Sequence, residues 1–435
     1  MGTRSNTIVD ITIESLGGLG DGIGRLDGKP VFVPKSCVGD RLKIRVVHQN
    51  HDGFQATITE IIKPGIGRAV PPCPHFSQCG GCTLQQLAPP DYHAFKTRML
   101  HSALIQAGFP LPNAKVTFLP AATRRRVEFK VTPDGKLGLL PLRRHMPIPI
   151  DQCLVLEPRL QALIAPINEA LAGMETENIK SISLTAVDSG VDMVVTYFTP
   201  PLEGGAGGGV LSANVGVKVT PHPNPPPQGG RELCVPGIAR ITARLPDGTL
   251  QTLMQTAPVE MHLGNHTIIL PPDAFLQATQ EGQNLLTRAA MEATKSATFV
   301  VDLFCGIGTY SLPLSTFTKV HAVEIDGSMV QNLKRHAIPN ITAEQRDLFK
   351  NPLSANELNR FQAAILNPPR LGAKAQTEQL AQSNIHTIVM ISCNPATFAR
   401  DAKILGKAGF RLESAQGIDQ FVWSGHLEIV AVFKR

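Results

Sequence analysis

Two residues near the C-terminal end have the types and settings for covalent chemistry. Cys393 stands in Ser392-Cys393-Asn394-Pro395, after the apolar run TIVMIS and before a helical stretch from Ala396 onward. A cysteine between a strand tip and a helix N-terminus is in a setting that favours thiolate. The competing role is that of most lone cysteines, which are buried and inert. Glu428, in His426-Leu427-Glu428, precedes the run IVAVF and is expected to open a strand. A carboxylate there is either a proton acceptor or an edge-strand acid facing water.

A second set of residues lies after apolar runs that alternate with helical stretches from Thr298 onward: FVVDLF, VHAVEI, AAILN and TIVMIS. This βαβ grammar predicts a parallel sheet, which binds ligands at the carboxyl ends of its strands. The first run leads into Asp302-Leu303-Phe304-Cys305-Gly306-Ile307-Gly308-Thr309. The glycines let a ligand approach the backbone at a helix N-terminus. Glu324 ends the second run, where an acid binds ribose hydroxyls. Asp347 follows a third short segment, where an acid accepts from an adenine amino group. A full GxGxxG is absent, so an adenosine cofactor smaller than a dinucleotide is expected. Each acid alone is equally well a cap or a surface charge. In this order they look like a class I S-adenosylmethionine methyltransferase. Asn367-Pro368-Pro369-Arg370 then ends the run that usually faces the atom to be methylated.

The elements that position these residues fill 435 residues, enough for two to four domains. The chain is 43% hydrophobic and 17% charged, which excludes a mostly disordered protein. It has no apolar run long enough to cross a bilayer. The first twenty residues contain Asp10 and Glu14 and lack an apolar core, so a cytoplasmic location without a signal peptide is expected. Residues 7–62 read as short strands with glycine turns, Lys43-Ile44-Arg45-Val46 alternating, which fits an OB-type β-barrel. Residues 92–108 read as a helix with Phe95, Met99, Ala103 and Leu104 on one face. From Val116 to about Val259 the pattern is mixed and mainly β. Residues 200–230 hold eight Gly and seven Pro and predict a disordered surface insertion. The expected division is 1–63, 64–265 and 266–435.

Net charge is +6, and residues 93–145 carry ten Lys/Arg against two acids. Arg124, Arg125 and Arg126 sit in the middle of this basic segment. It suits a phosphate backbone, and the plainer alternative is a solvated basic face. Eight cysteines in a reducing compartment do not make a disulfide framework. Cys73-x5-Cys79-x2-Cys82 is bunched, which points to metal.

A cysteine nucleophile makes sense for one class of methylation. Uracil C5 is a poor carbon nucleophile, and thiolate addition at C6 makes it enolate-like. After methyl transfer a base must remove the C5 proton so that elimination releases the cysteine. With these residues in view, the chain resembles the RNA (uracil-5-)-methyltransferases, and within them the 23S rRNA branch. The resemblance covers nearly the full length apart from the 200–230 insertion. It is carried by a TRAM-like N-terminal barrel, the C-x5-C-x2-C cluster with a distant cysteine in IDQC, and the motifs FLQAT, DLFCGIGT, NPPRLGA, SCNPATFARD and HLE.

The resemblance implies an α/β multidomain fold: TRAM-like OB barrel, central mainly-β domain with an iron–sulfur cluster, and C-terminal class I Rossmann-like methyltransferase. It implies Cys393 as nucleophile and Glu428 as base. It places S-adenosyl-L-methionine against Gln277, Phe304, Gly306, Thr309, Glu324, Asp347 and Asn367. It assigns Cys73, Cys79, Cys82 and Cys153 to a [4Fe–4S] cluster, although the spacing alone equally allows zinc. The partner is RNA, 23S rRNA ahead of tRNA, bound by a monomer and no membrane.

Two positions depart from the family. Asn367 stands where Asp is usual, and Thr279 where Asn is frequent. An amide both donates and accepts, so Asn367 keeps hydrogen bonding to a base while changing its electrostatics. The alternatives are an exocyclic-amine methyltransferase, echoed in Asn-Pro-Pro, and an inactive cluster-bearing RNA-binding protein. The first leaves Cys393 idle. A cytosine C5-methyltransferase would use a second cysteine in the proline-containing motif, and residues 367–370 of this chain have none.

Overall fold

The computed structural model describes residues 7–172, 174, 176–198 and 235–435. The 200–230 insertion and Cys234 lie outside the described residues. Among the described residues, no helix is long and apolar enough to cross a membrane.

Strands from residues 8 to 63 form a six-stranded sheet. The expected alternation holds in the strand Arg41–Asn50, where Leu42, Ile44 and Val46 are buried and Arg45 is exposed. The middle of the chain forms a seven-stranded sheet running from Ile148–Pro149 at one edge to Leu250–Gln255 at the other. Phe129, Leu137, Ile182, Met193 and Ile241 pack there against helix Ile164–Leu171.

The C-terminal sheet has eight strands. Five are parallel, in the spatial order Ile341–Gln345, Lys319–Glu324, Phe299–Leu303, Ala363–Leu366, Thr387–Ser392. The apolar runs of the four inner ones are buried on both faces, as parallel strands require, while the edge strand Ile341–Gln345 has no buried residue. Strand order reverses at Phe299–Leu303, so a crevice for ligand opens beyond its end. The antiparallel strands Glu428–Lys434 and Arg411–Asp419 follow.

The eighth strand is Lys115–Phe118, paired parallel to Arg411–Asp419. Helix Pro89–Ala107, ended by a left-handed Gly108 (φ 87°), packs its expected apolar face on the same core. The hairpin Glu260–Leu263/His266–Ile269 packs on a separate cluster with Ile307, Leu312, Ala322 and Leu333, through Met261, Leu263 and Ile268. Residues 89–118 therefore join the C-terminal sheet structurally, although sequence order puts them in the middle segment. Edge pairing over some 300 residues leaves no local signal.

Candidate active site

The expected cofactor residues converge at the carboxyl ends of the parallel strands. Phe304 (φ 63°), Gly306 (φ 55°) and Gly308 (φ 87°) turn the chain after Phe299–Leu303. Phe304 is a non-glycine residue in the left-handed region, a conformation that costs about 1–3 kcal/mol and clusters at functional sites. A Cβ built on Gly306 would meet nothing within 4 Å, so open space lies over this turn. Glu324 accepts from the backbone N–H groups of Gly306 (2.9 Å), Ile325 (2.8 Å) and Asp326 (3.1 Å). These bonds orient its carboxylate and leave about one of its four lone pairs for a ligand.

Asp347 accepts from the N–H of Phe349 (3.0 Å) and Lys350 (3.3 Å), closing its own turn. The Phe304 and Phe349 rings lie 5.4 Å apart. Exposed Phe349 and Ile325 flank this end and offer apolar faces to an adenine. Asn367 follows strand Ala363–Leu366 and donates its N–H to Leu303 O (3.3 Å). Gln277 is buried, and its side chain donates to the Tyr310 hydroxyl (3.4 Å) beside Thr309. Open space, an oriented acid and apolar faces suit an adenosine cofactor with a charged tail.

Cys393 and Glu428 meet at the neighbouring strand ends. Ser392 pairs with Ile429, so Cys393 and Glu428 leave adjacent antiparallel strands at the same level. Glu428 does not face water from an edge strand: its strand lies between two others and it is 3% exposed. Burial pushes its pKa up to about 7, against the Gln420 hydrogen bond and the Arg370 charge. The acid is therefore poised between its two forms near neutral pH.

Cys393 precedes helix Pro395–Lys407, which Asn394 caps by accepting from Ala396 N–H (3.1 Å). The expected thiolate-favouring effect of that helix does not prevail. Burial and then the Glu428 charge raise the thiol pKa, and Arg370 lowers it by charge and hydrogen bond. Arg370 is held in place, because its carbonyl accepts from Asn394 (3.0 Å) and Thr397 (3.3 Å). His426, the alternative base, is pushed down to about 4 by burial and then by the Arg370, Lys96 and Arg124 charges. It is a much weaker base than Glu428.

The loop between Asp419 and Glu428 is gripped from several sides. Lys96 is fully buried and donates to Asp419 (2.7 Å) and His426 O (2.5 Å). The Tyr92 hydroxyl donates to Asp419 and accepts from Trp423 N–H (2.9 Å). Thr83 and Leu84 donate their N–H groups to Trp423 O (2.8 and 3.0 Å). Gly425 lies so close to Leu19, in the turn between the N-terminal strands Ser15–Leu16 and Gly22–Leu26, that a Cβ would come within 2.2 Å of its carbonyl.

The basic segment is not one exposed stripe. Arg125 is 3% exposed and spends its guanidinium on Gln277 O (2.9 Å), Gln280 (2.5 Å) and Gln283 (2.6 Å). Lys96 is consumed by Asp419. Arg126 donates to Leu276 O (3.2 Å) and stacks over Phe275, and Arg124 donates to Arg126 O (2.9 Å). The reason is folding: the backbone of Arg124 bridges to Leu156 and Thr279, Arg125 N–H donates to Ala278 O, and Arg126 pairs with Thr185, drawing these side chains inward. Arg143 and Arg144 stay exposed.

Cys73, Cys79, Cys82 and Cys153 are unpaired and partly buried. Burial raises the pKa of Cys79, Cys82 and Cys153, and each also feels the charge of others in the set. Lys35 donates to the carbonyls of Phe76 (2.5 Å) and Cys79 (2.8 Å) beside them. Among the described residues, no three His, Cys, Asp or Glu side chains converge as a single-ion site.

Sequence reasoning missed Gln420, Asp302 and the electrostatic role of Arg370. Asp302 is buried and accepts from Ser311 Oγ (2.6 Å), and its Oδ1 has no hydrogen-bond partner among the described residues. Burial pushes it up to about 7, with the Glu324 charge acting the same way and Ser311 opposing. Its place in DLFCGIGT was the available signal. Thr279 caps helix Gln280–Thr294 by accepting from Gly282 N–H (3.0 Å), a role that Asn fills equally.

Residues 267–435 match the family described as tRNA (Uracil-5-)-methyltransferase, and residues 3–50 match the TRAM domain. An uncharacterized RNA methyltransferase of Caulobacter vibrioides is 34% identical over 98% of this chain and 100% of its own. A 23S rRNA (uracil(1939)-C(5))-methyltransferase, RlmD, of Halomonas elongata is 31% identical over 96% of this chain and 88% of its own. The solved structure of Pyrococcus abyssi tRNA (uracil-54, C5)-methyltransferase with S-adenosyl-L-homocysteine shares the fold: TM-score 0.70, 19% identity, 98% of this chain and 100% of that one. With relatives above 30% identity along nearly its whole length, a TRAM domain in front and a methyltransferase sheet behind, the chain belongs to the RNA (uracil-5-)-methyltransferase family.

Proposed function

We propose that the chain methylates carbon 5 of a uracil in 23S rRNA, with Cys393 as nucleophile and Glu428 as base. The observation that carries this reading is their meeting on adjacent strand ends, with only strand Ala363–Leu366 between the strand of Cys393 and the one that ends in the open turn of Gly306. The Cys393 thiolate adds to C6, and electron density moves to C5. S-adenosylmethionine, held by Gln277, Phe304, Gly306, Thr309, Glu324, Asp347 and Asn367, supplies an electrophilic methyl group. Glu428 then takes the C5 proton, and the electron pair left behind expels the cysteine sulfur. Arg370 offsets the burial that opposes thiolate formation. The Asn367 amide has no hydrogen-bond partner among the described residues and is free to read the base. An exocyclic-amine reaction would leave the Cys393–Arg370–Glu428 grouping without a role.

The uracil must leave its stack to reach Cys393, at a cost of a few kcal/mol. Binding to the N-terminal sheet, to the exposed Arg143 and Arg144, and to the outer faces of Arg124 and Arg126 supplies that energy. The RlmD name of one relative favours rRNA over tRNA. On this reading the chain acts as a cytoplasmic monomer. The four cysteines hold a [4Fe–4S] cluster that ties the 73–82 segment to Cys153. Four cysteine thiolates are the ligands such a cluster takes. Its role is structural, because methyl transfer needs no electron transfer.

Two experiments test the reading. Mapping 5-methyluridine in rRNA and tRNA from a strain lacking the gene should find one uridine of 23S rRNA unmethylated. Loss of the mark from tRNA alone would overturn the substrate. Anaerobically purified protein should carry about four irons and four sulfides. Stoichiometric zinc without sulfide would refute the cluster.

A further inference from the structure

We infer that Gln420 is the positioning residue of the base, aiming the Glu428 carboxylate and linking it to the cofactor side of the site. The inference rests on Glu428 being the base. Gln420 is 1% exposed, and its Nε2 donates to Glu428 Oε2 (2.8 Å) and Gln277 Oε1 (2.9 Å). A carboxylate only accepts, so the amide must turn its NH2 toward Glu428. That choice fixes the Gln277 amide with its oxygen toward Gln420 and its nitrogen toward the Tyr310 hydroxyl. One oriented chain therefore runs from the base to the residue after Thr309.

A separate observation comes from helix Gln280–Thr294. Gly282 occupies its first turn, where glycine is a poor helix former. A Cβ at Gly282 would stand 2.6 Å from Gln420 Oε1 and 2.8 Å from Thr279 Oγ1. Gln420 Oε1 is buried without a hydrogen-bond partner among the described residues, against this bare backbone. The helix thus leaves room for the amide in the one rotamer that serves Glu428. On the other side Asp419 is pinned by Lys96 and Tyr92, so the backbone that carries Gln420 is also held.

The groups facing Glu428 are Gln420 and Arg370, which favour its ionised form, and Cys393 and Tyr310, which feel its charge. Removing the amide donor leaves Arg370 as the main support for the carboxylate. The step that slows is loss of the C5 proton with expulsion of Cys393. Cysteine addition and methyl transfer precede it.

The test uses the full chain with RNA tritiated at uracil C5, measuring methyl incorporation and tritium release separately. Gln420→Met should methylate in a single turnover near the parent rate, release tritium about tenfold more slowly, and accumulate the covalent adduct. The rise of tritium release with pH should move to higher pH, and cofactor affinity should stay near the parent value. Gly282→Ala, whose methyl would displace the Gln420 amide, should give the same split, and it decides the matter if Gln420→Met does not fold. Parent-like tritium release and pH profile in the folded variants, while Glu428→Gln stalls, would overturn the inference and leave the base assignment standing. Normal tritium release by Glu428→Gln would overturn both.

Discussion

On the cofactor side of the site, Gly306 and Glu324 are 18 residues apart in sequence and meet across neighbouring parallel strands. On the base side, Lys96 and Asp419 are 323 residues apart, and the loop they fix is also touched by Thr83, Leu84 and Leu19. The first region is built by one sheet. The second is assembled from segments far apart in the chain, around residues 19, 83–84 and 92–96. A base that must be buried to reach a useful pKa, yet aimed at an extruded uracil, needs scaffolding from outside its own strand. The two regions should therefore fail independently.

The strongest perturbation of the second region is Lys96→Met. It leaves Asp419 buried with the Tyr92 hydroxyl as its remaining side-chain partner, so stability should fall by about 3–5 kcal/mol in urea unfolding. Protein still folded at low denaturant should bind S-adenosylmethionine normally while turnover drops. Equal losses in cofactor affinity and turnover would erase the distinction between the two regions.

Glu428→Gln should uncouple stability from activity. The folded-state pKa of Glu428 is raised from 4.5 to about 7, so its ionised form opposes folding. That cost is absent below pH 4.5, grows as pH rises toward 7, and is complete above it. The glutamine variant should gain up to about 3 kcal/mol at pH 8 relative to the parent and nothing at pH 4. A gain independent of pH would contradict the assigned ionisation.

The arginines sharpen the comparison further. Arg125→Met strands buried acceptors and should cost roughly 2 kcal/mol with the salt dependence of RNA binding unchanged. Arg144→Gln should leave stability alone and lower the salt slope by about 1. The smallest effect is expected from Thr279→Asn, which keeps the helix cap and should change stability by less than about 0.5 kcal/mol.

These differences explain what was legible in the sequence. The alternation in Arg41–Asn50, the parallel strands, the glycine turn and the strand-tip Cys393 all have signals within a few residues. Glu324 and Asp347 were legible as positions, although the backbone bonds that engage their carboxylates were not. The burial of Arg125 and Lys96 was illegible, because a basic segment looks the same whether its charges face water or distant carbonyls. Gln420 carried no motif of its own. Its role comes from Gln277, Gly282 and Glu428 meeting it in space. The helix-end setting of Cys393 was visible, but the burial that outweighs it depends on packing.

The most direct test of the central claim is mass spectrometry of the Glu428→Gln enzyme after incubation with RNA and S-adenosylmethionine, followed by nuclease and protease digestion. Cys393 adds before the base acts, so the account predicts a Cys393 peptide carrying a methylated uridine nucleotide, in near-stoichiometric yield. Parent-rate formation of free 5-methyluridine without that adduct, or an adduct on any other residue, would contradict it.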